Sequence, residues 1–263
     1  MKPKKSLGQN FLRDKKVLER IIGSADLKPD ELVVEVGPGE GVLTRELVRK
    51  IEKVIAIEID RNLAENLKKN FAGNKKIEII NNDILKINLP ELILHYKLEA
   101  RSYKLIANIP YYITSPIIQL FLETKYPPKE MILMVQKEVA ERICAKPGEM
   151  SILAVSVQYY AKAELLFYVD KKAFYPVPEV DSAIIRVTHN SERVSPEERK
   201  KLFRVVKAGF SSRRKTLLNN LANSFHLPKN IAEEKIKKAG INPTSRAQDL
   251  NVDDWKKLSE LFT

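Results

Sequence analysis

The chain has 263 residues, 44% of them hydrophobic, with 46 Lys+Arg against 34 Asp+Glu for a net charge of +12; this is enough apolar material for one large core or a main domain with a smaller companion, and it excludes disorder, collagen and a small disulfide scaffold. The single cysteine, Cys144, allows neither an intrachain disulfide nor a cysteine-rich zinc site, and His95, His189 and His226 are too scattered for a metal centre, so no metal is expected. No stretch approaches the roughly 20 apolar residues of a membrane span, and the basic start at 1–10 is not followed by an apolar run, so a cytoplasmic protein without membrane attachment is expected.

From residue 13 to about 188, short β-branched runs alternate with helical spacing. The runs 33–36, 54–59, 77–80, 104–107 and 131–135 are too short for buried helices and read as parallel strands covered on both faces. Between them, 43–50, 63–71, 117–123 and 139–145 have helical periodicity, which makes the unit a repeated βα and the sheet a doubly wound, Rossmann-like α/β sheet. Two further runs, 163–169 and 182–188, flank the Pro-bearing segment 174–178 and read as a late antiparallel hairpin at the sheet edge. After Val187 the texture changes. His189-Asn190-Ser191-Glu192 is a polar linker, and Ser195-Pro196-Glu197-Glu198 is an N-cap with proline at N1 and a capping-box glutamate. Helical stretches follow at 214–225, 229–239 and 252–261, so the division expected is 1–188 and a small helical domain at 189–263.

The first long strand runs into Glu35-Val36-Gly37-Pro38-Gly39-Glu40-Gly41. Glycines there let the chain turn sharply and let a ligand approach the backbone. The sixth position of a dinucleotide fingerprint is Val42 and no Gly-Lys-Ser/Thr follows, so neither a pyrophosphate nest nor a triphosphate site is clearly offered. The loop alone also fits a plain strand-to-helix turn. Two acids sharpen it. Glu58 ends the second strand, where a carboxylate accepts hydrogen bonds from ribose hydroxyls in this fold class. Asp83, after the third strand, is placed to accept from the amine of adenine. Each alone fits a helix cap or a solvated loop; together they outline an adenosine pocket without a phosphate site, which suits S-adenosylmethionine better than NAD, FAD or ATP.

The fourth strand ends in Asn108-Ile109-Pro110-Tyr111. The exocyclic amine of adenine is a poor nucleophile because its lone pair is delocalised into the ring. Two acceptors on its N–H groups favour a more pyramidal nitrogen; the Asn108 side-chain carbonyl and the Ile109 backbone carbonyl are suited to this. Pro110 fixes the turn, and Tyr111 offers a face on which a flipped base stacks. The bland alternative is a loop turn with a packed tyrosine. Charge is located as well: residues 1–16 carry +5, residues 184–263 carry +8 and the middle −1. Two basic ends on a neutral body suggest a polyanion held beside a neutral site, most simply nucleic acid, although a generally basic composition serves solubility too.

With these motifs in order, the chain resembles the KsgA/Dim-type ribosomal RNA adenine dimethyltransferases nearly end to end. The resemblance runs through Lys5-Ser6-Leu7-Gly8-Gln9-Asn10-Phe11-Leu12, the 34–41 glycine turn, Glu58-Ile59-Asp60, Asn82-Asp83, the 108–111 motif, Val135-Gln136-Lys137-Glu138-Val139-Ala140, Phe174-Tyr175-Pro176-Val177-Pro178-Glu179-Val180-Asp181-Ser182 and Phe210-Ser211-Ser212-Arg213-Arg214-Lys215-Thr216-Leu217. Ile109 stands where that family commonly has leucine; only its backbone carbonyl has a role.

The resemblance implies a class I methyltransferase fold and S-adenosylmethionine as cofactor, with S-adenosylhomocysteine as product and no metal. Asn10 and Leu12 are expected over the cofactor, Gly37 against its methionine portion, Glu58 at the ribose, Asp83 at the adenine amine and Asn108 between methionine and target base, with Gly39, Ile59 and Ile84 among the other cofactor-binding residues. Tyr111 and Phe174 are expected to sandwich the target adenine, unless Phe174 is a core aromatic beside two prolines. Lys4 and Lys5 ahead of the cofactor, and Arg213, Arg214 and Lys215 at a helix start, are expected to hold RNA phosphates, a basic solvated turn being the alternative for the triplet. The implied reaction is N6,N6-dimethylation of two adjacent adenosines in the 3′-terminal stem-loop of small-subunit rRNA, by a monomer acting on a pre-ribosomal particle during ribosome biogenesis. An Erm-type enzyme of large-subunit rRNA and a non-catalytic RNA-binding assembly factor are the rival readings; the helical tail with the basic triplet and Gly240-Ile241-Asn242-Pro243 favours the small-subunit enzyme over the Erm type.

Overall fold

In the computed structural model, which describes residues 3–4, 7–96, 99–190 and 195–262, the chain begins with the two-residue strand β1 (Phe11–Leu12) and helix α1 (Lys15–Ser24). Asp14 caps α1 by accepting from the N–H groups of Lys16 and Val17, and Leu18, Ile21 and Ile22, spaced i, i+3, i+4, turn its apolar side into the core. The repeated βα unit follows as β2 (Leu32–Val36), α2 (Val42–Lys50), β3 (Lys53–Glu58), α3 (Arg61–Asn70), β4 (Ile77–Asn81), α4 (Leu89–His95), β5 (Tyr103–Asn108), α5 (Thr114–Glu123), β6 (Glu130–Gln136) and α6 (Lys137–Ile143). After α7 (Ile152–Gln158) come β7 (Ala161–Val169), the short β8 (Phe174–Tyr175) and β9 (Ser182–His189).

Seven strands form one sheet in the order β4-β3-β2-β5-β6-β9-β7. The first five are parallel, and β9 runs antiparallel to both β6 and β7. The late hairpin expected at the edge is therefore present, with the later strand, β9, inside the sheet and β7 on its margin. Val33, Val34 and Val36 are all buried, as a strand covered on both faces requires. In parallel strands all carboxyl ends lie on one side, so the turns after β2, β3, β4 and β5 share one edge.

By packing, the described chain divides into two compact units, 1–140 with 161–189, and 141–160 with 190–263. The second contains α7 and the helices α8 (Pro196–Gly209), α9 (Leu217–Phe225), α10 (Lys229–Lys238) and α11 (Val252–Leu261) around Leu202, Val205, Leu217, Trp255 and Leu258. The capping box at Ser195 and Glu198 is present as expected. The expected division at 188 does not set apart residues 141–160, which pack with the later helices. The reason lies in long-range bonds that no local pattern announces: the N–H groups of Gly148 and Met150 both donate to the Gln248 carbonyl at 2.8 and 3.2 Å, and the Gln248 amide returns one to Gly148.

Candidate functional site

A cavity of about 260 Å³ opens at the carboxyl edge of the sheet, within the first unit. The glycine turn forms one wall. Gly37, Gly39 and Gly41 all have positive φ, at 71, 60 and 76°, and the last of them starts α2 without a side-chain cap. A Cβ on Gly39 would lie 3.2 Å from the Phe11 ring, and one on Gly41 would lie 2.6 Å from Leu67, so the turn depends on glycine for space as well as for angle.

Four acids line the cavity, Glu35, Glu40, Glu58 and Asp83, and no lysine or arginine lines it among the described residues. Glu58 is 4% exposed; its two oxygens accept the N–H groups of Gly39 at 3.0 Å and Asp60 at 2.8 Å, tying β3 to the glycine turn. Burial holds its pKa above the ordinary carboxylate value, against the pull of those two bonds. Each oxygen retains a lone pair for a ligand hydroxyl. Asp83 accepts from the N–H of Leu85 at 3.0 Å, and Ile59, Ile84 and Leu85 supply apolar walls beside it.

The other side is built from the end of β5. Asn108 donates from Nδ2 to the carbonyl of Asn10 at 3.3 Å, which leaves its Oδ1 as the acceptor end. The N–H of Ile109 donates to the Met134 carbonyl at 3.3 Å, fixing that peptide on the neighbouring strand. Pro110 leads into a 3-10 turn, and Tyr111 is held there by a 2.8 Å bond between its hydroxyl and that of Ser182. Asn108, Ile109, Pro110 and Tyr111 all line the same cavity as Gly37, Glu58 and Asp83. Asn10 and Leu12 line it too, on a segment whose residues from Leu7 to Leu12 all face the cavity.

Three expectations need correcting or narrowing. Phe174 does not line the cavity: it is 3% exposed and packs with Leu12, Ile22 and Val169 in the core, because pairing of β8 with β1 sets it opposite Leu12 and turns it inward. Lys4 is engaged within the molecule, with Nζ 3.0 Å from Oδ1 and 2.9 Å from Oδ2 of the nearly buried Asp60 carboxylate, while Gln9 donates to the same Oδ2 at 3.0 Å. Burial works to raise the Asp60 pKa, yet these partners hold it below the usual value. Lys5 lies outside the described residues. Arg213, Arg214 and Lys215 are exposed, but they precede the helix; α9 begins at Leu217 with Thr216 as its cap.

Several lining residues carry no role in the sequence reading: Glu35, Glu40, Leu7, Phe11 and Tyr112. Glu35 had a signal, an acid inside an otherwise apolar strand. Tyr112, 58% exposed at the rim, had none, since an aromatic after a turn is equally well a core residue. Asp60 is likewise decipherable afterwards as a helix cap, accepting from Asn62 N–H at 3.0 Å.

Comparisons with known proteins agree with this geometry. The family model described as Ribosomal RNA adenine dimethylase matches residues 1–263. The chain is 45% identical over 262 residues to Ribosomal RNA small subunit methyltransferase A of Dehalococcoides mccartyi strain BAV1, covering 98% of this chain and 88% of that one. It is 43% identical to the protein of the same description from Alkaliphilus metalliredigens, with 97% and 90% covered. Among solved structures, the 23S rRNA methyltransferase ErmE aligns with a TM-score of 0.77 at 31% identity over 96% of this chain and 99% of that one. A dimethyladenosine transferase from Plasmodium falciparum aligns with 0.78 at 27% identity over 94% and 95%. With matches of this length on a site of this build, the chain belongs to the ribosomal RNA adenine dimethylase family.

Proposed function

We propose that the protein transfers methyl groups from S-adenosylmethionine to N6 of two adjacent adenosines in the 3′-terminal stem-loop of small-subunit rRNA, giving N6,N6-dimethyladenosine and S-adenosylhomocysteine. One observation carries the reading: among the described residues, a glycine-walled cavity is lined by four acids and no basic residue, and Asn108, whose donor end is taken by the Asn10 carbonyl, lines it too. Such a lining repels phosphate and suits a ligand that is cationic at sulfur and nitrogen. S-Adenosylmethionine supplies a methyl group on a positively charged sulfur. Glu58 is fitted to hold its ribose, Asp83 with Ile59 and Ile84 its adenine, and Gly37, Gly39, Asn10 and Leu12 its methionine end.

Asn108 Oδ1 and the Ile109 carbonyl would grip the N–H groups of the target adenine, with Tyr111 as its stacking face. No strong base is needed, because the positive charge passes to the attacked nitrogen and the proton leaves afterwards. The exposed triplet Arg213, Arg214 and Lys215 supports RNA backbone binding by the second unit. The same core in ErmE makes a large-subunit substrate the alternative; identities of 41–45% to small-subunit methyltransferases, against 31% to ErmE, support the small subunit. The protein is taken to act as a cytoplasmic monomer on a pre-ribosomal particle.

Incubation with labelled S-adenosylmethionine and unmethylated small or large particles, followed by digestion to nucleosides, tests this directly. Label in N6,N6-dimethyladenosine from the small particle alone is expected. Label from the large particle alone, or none from either, would overturn the assignment.

A further inference from the structure

Asp60 is a buried acid that the scheme above leaves without a task. It is 3% exposed, caps α3 two residues after Glu58, and stands outside the cavity lining. Its Oδ1 accepts from the Asn62 N–H and from Lys4 Nζ, each at 3.0 Å; its Oδ2 lies 2.9 Å from Lys4 Nζ and accepts from the Gln9 amide at 3.0 Å. A helix cap needs only the first of these contacts. The others tie the start of α3 to residues 56 and 51 positions earlier in the chain.

Those residues belong to a wall of the cavity, which runs without a gap from Leu7 to Leu12. The later end of the wall is fixed without Asp60. Phe11 and Leu12 pair with β8, the Arg13 N–H donates to the Ala173 carbonyl at 2.7 Å, and the Asn10 carbonyl accepts from Asn108. The earlier end has no such support. Among the described residues, the remaining hydrogen bonds of 4–9 stay inside the segment: Lys4 N–H to Gln9 Oε1 at 2.7 Å, Leu7 N–H to the Lys4 carbonyl at 3.1 Å, and Asn10 Nδ2 to the Gly8 carbonyl at 3.3 Å. Hydrogen bonding of this end to the rest of the unit therefore passes through one carboxylate. The bond is charge-assisted and its acceptor is shielded from water, which makes it strong. The Lys4 side chain is 47% exposed, so the pair opens without unpacking the core. Asp60 also donates its own N–H to Glu58 at 2.8 Å, so the acid fitted to the ribose and the tie on the wall share one stretch of backbone.

We propose that Asp60 is a positioning residue: through Lys4 and Gln9 it latches 4–9, holds the Leu7–Leu12 wall against a bound ligand, and so sets how fast S-adenosylhomocysteine leaves and fresh S-adenosylmethionine replaces it. This rests on the reading of the cavity as a S-adenosylmethionine site. Asp60 and Lys4 lie outside the lining, so the latch acts through the wall and retains both ligands by a similar factor. Its loss is felt in dissociation more than in association.

The test loads labelled S-adenosylmethionine or S-adenosylhomocysteine onto the wild type, Lys4→Met, Asp60→Asn and the double variant, chases with excess unlabelled ligand, and reads the release rate by rapid filtration. Asparagine keeps an oxygen for the Asn62 N–H, so the cap on α3 survives. Each single variant is expected to release either ligand about tenfold faster than the wild type. The double variant should be no faster than the faster single one, because both remove the same interaction. Lys4→Arg should restore the wild-type rate. Hydrogen exchange separates the latch from damage to the helix: ligand-dependent protection of 7–10 should be lost in Lys4→Met while that of 61–70 persists. Lys4→Met alters a half-exposed side chain and decides the matter even where Asp60→Asn does not fold. Release unchanged in Lys4→Met, an effect confined to one ligand, single effects that multiply in the double variant, or protection of 7–10 retained would overturn the latch alone. Failure of the wild type to bind either ligand would overturn the cofactor reading beneath it.

Discussion

The amide of Asn108 has a donor end and an acceptor end, and the carbonyl of Asn10 takes the donor end at 3.3 Å. What remains toward the cavity is Oδ1, the atom that an adenine amine needs. Asn108→Ala removes that acceptor while leaving the acids and the basic triplet untouched. Turnover is expected to fall by about a hundredfold or more. RNA binding and the thermal shift given by S-adenosylhomocysteine should both survive. Single-turnover methylation beside differential scanning fluorimetry checks this; a variant as active as its parent would remove Asn108 from the mechanism. The motif was legible because four consecutive residues at a strand end carry its whole chemistry. Phe174 was not, since the direction of its ring is set by pairing with Leu12, more than 160 positions away along the chain.

Helix α9 shows the same division one level up. Its periodicity and its caps were readable, but its start was not: the sequence spacing extends the helix to residue 214, whereas Thr216 accepts from Asn219 N–H and the helix opens at Leu217. The N–H groups of Leu217 and Leu218 donate to the carbonyls of Ser245 and Pro243 at 2.7 and 3.4 Å. Those donors are thereby taken by the chain itself, so the basic triplet supplies charge to a phosphate without help from these two groups. Asn220 is a poor helix former and yet 2% exposed; its Nδ2 donates to the carbonyls of Gly209 at 2.6 Å and Ser212 at 2.9 Å, clamping the loop just before the triplet. Asn220→Ala leaves both carbonyls without that donor and should cost about 1–3 kcal/mol of stability. Chemical denaturation measures that loss, and RNA affinity should fall with it while S-adenosylhomocysteine binding is retained. The two-residue strands β1 and β8 and the seven-residue helices α4 and α7 escaped sequence reading because a few residues show no period.

Over the whole chain, charge and apolar pattern were plain from composition and order, and they lead to a salt prediction. If about four to six phosphates are neutralised, the logarithm of RNA affinity should fall with that of salt concentration at a slope between roughly −3 and −5. Replacing Arg213, Arg214 and Lys215 together by alanine should make the slope shallower by about 2 to 3, read by fluorescence anisotropy across a salt series. An unchanged slope would place the phosphate contacts elsewhere. The strand and helix alternation, the glycine turn, the Asn108 motif and the basic ends could all be read from residue order, because each is a matter of neighbours along the chain. Folding in three dimensions was needed to show that Lys4 pairs with Asp60, that Phe174 faces the core, that residues 141–160 pack with the later helices, and that Oε2 of Glu35 is buried beside the cavity with no hydrogen-bond partner among the described residues. Those four depend on which distant groups become buried together, and burial is a property of packing across the chain that local periodicity does not encode.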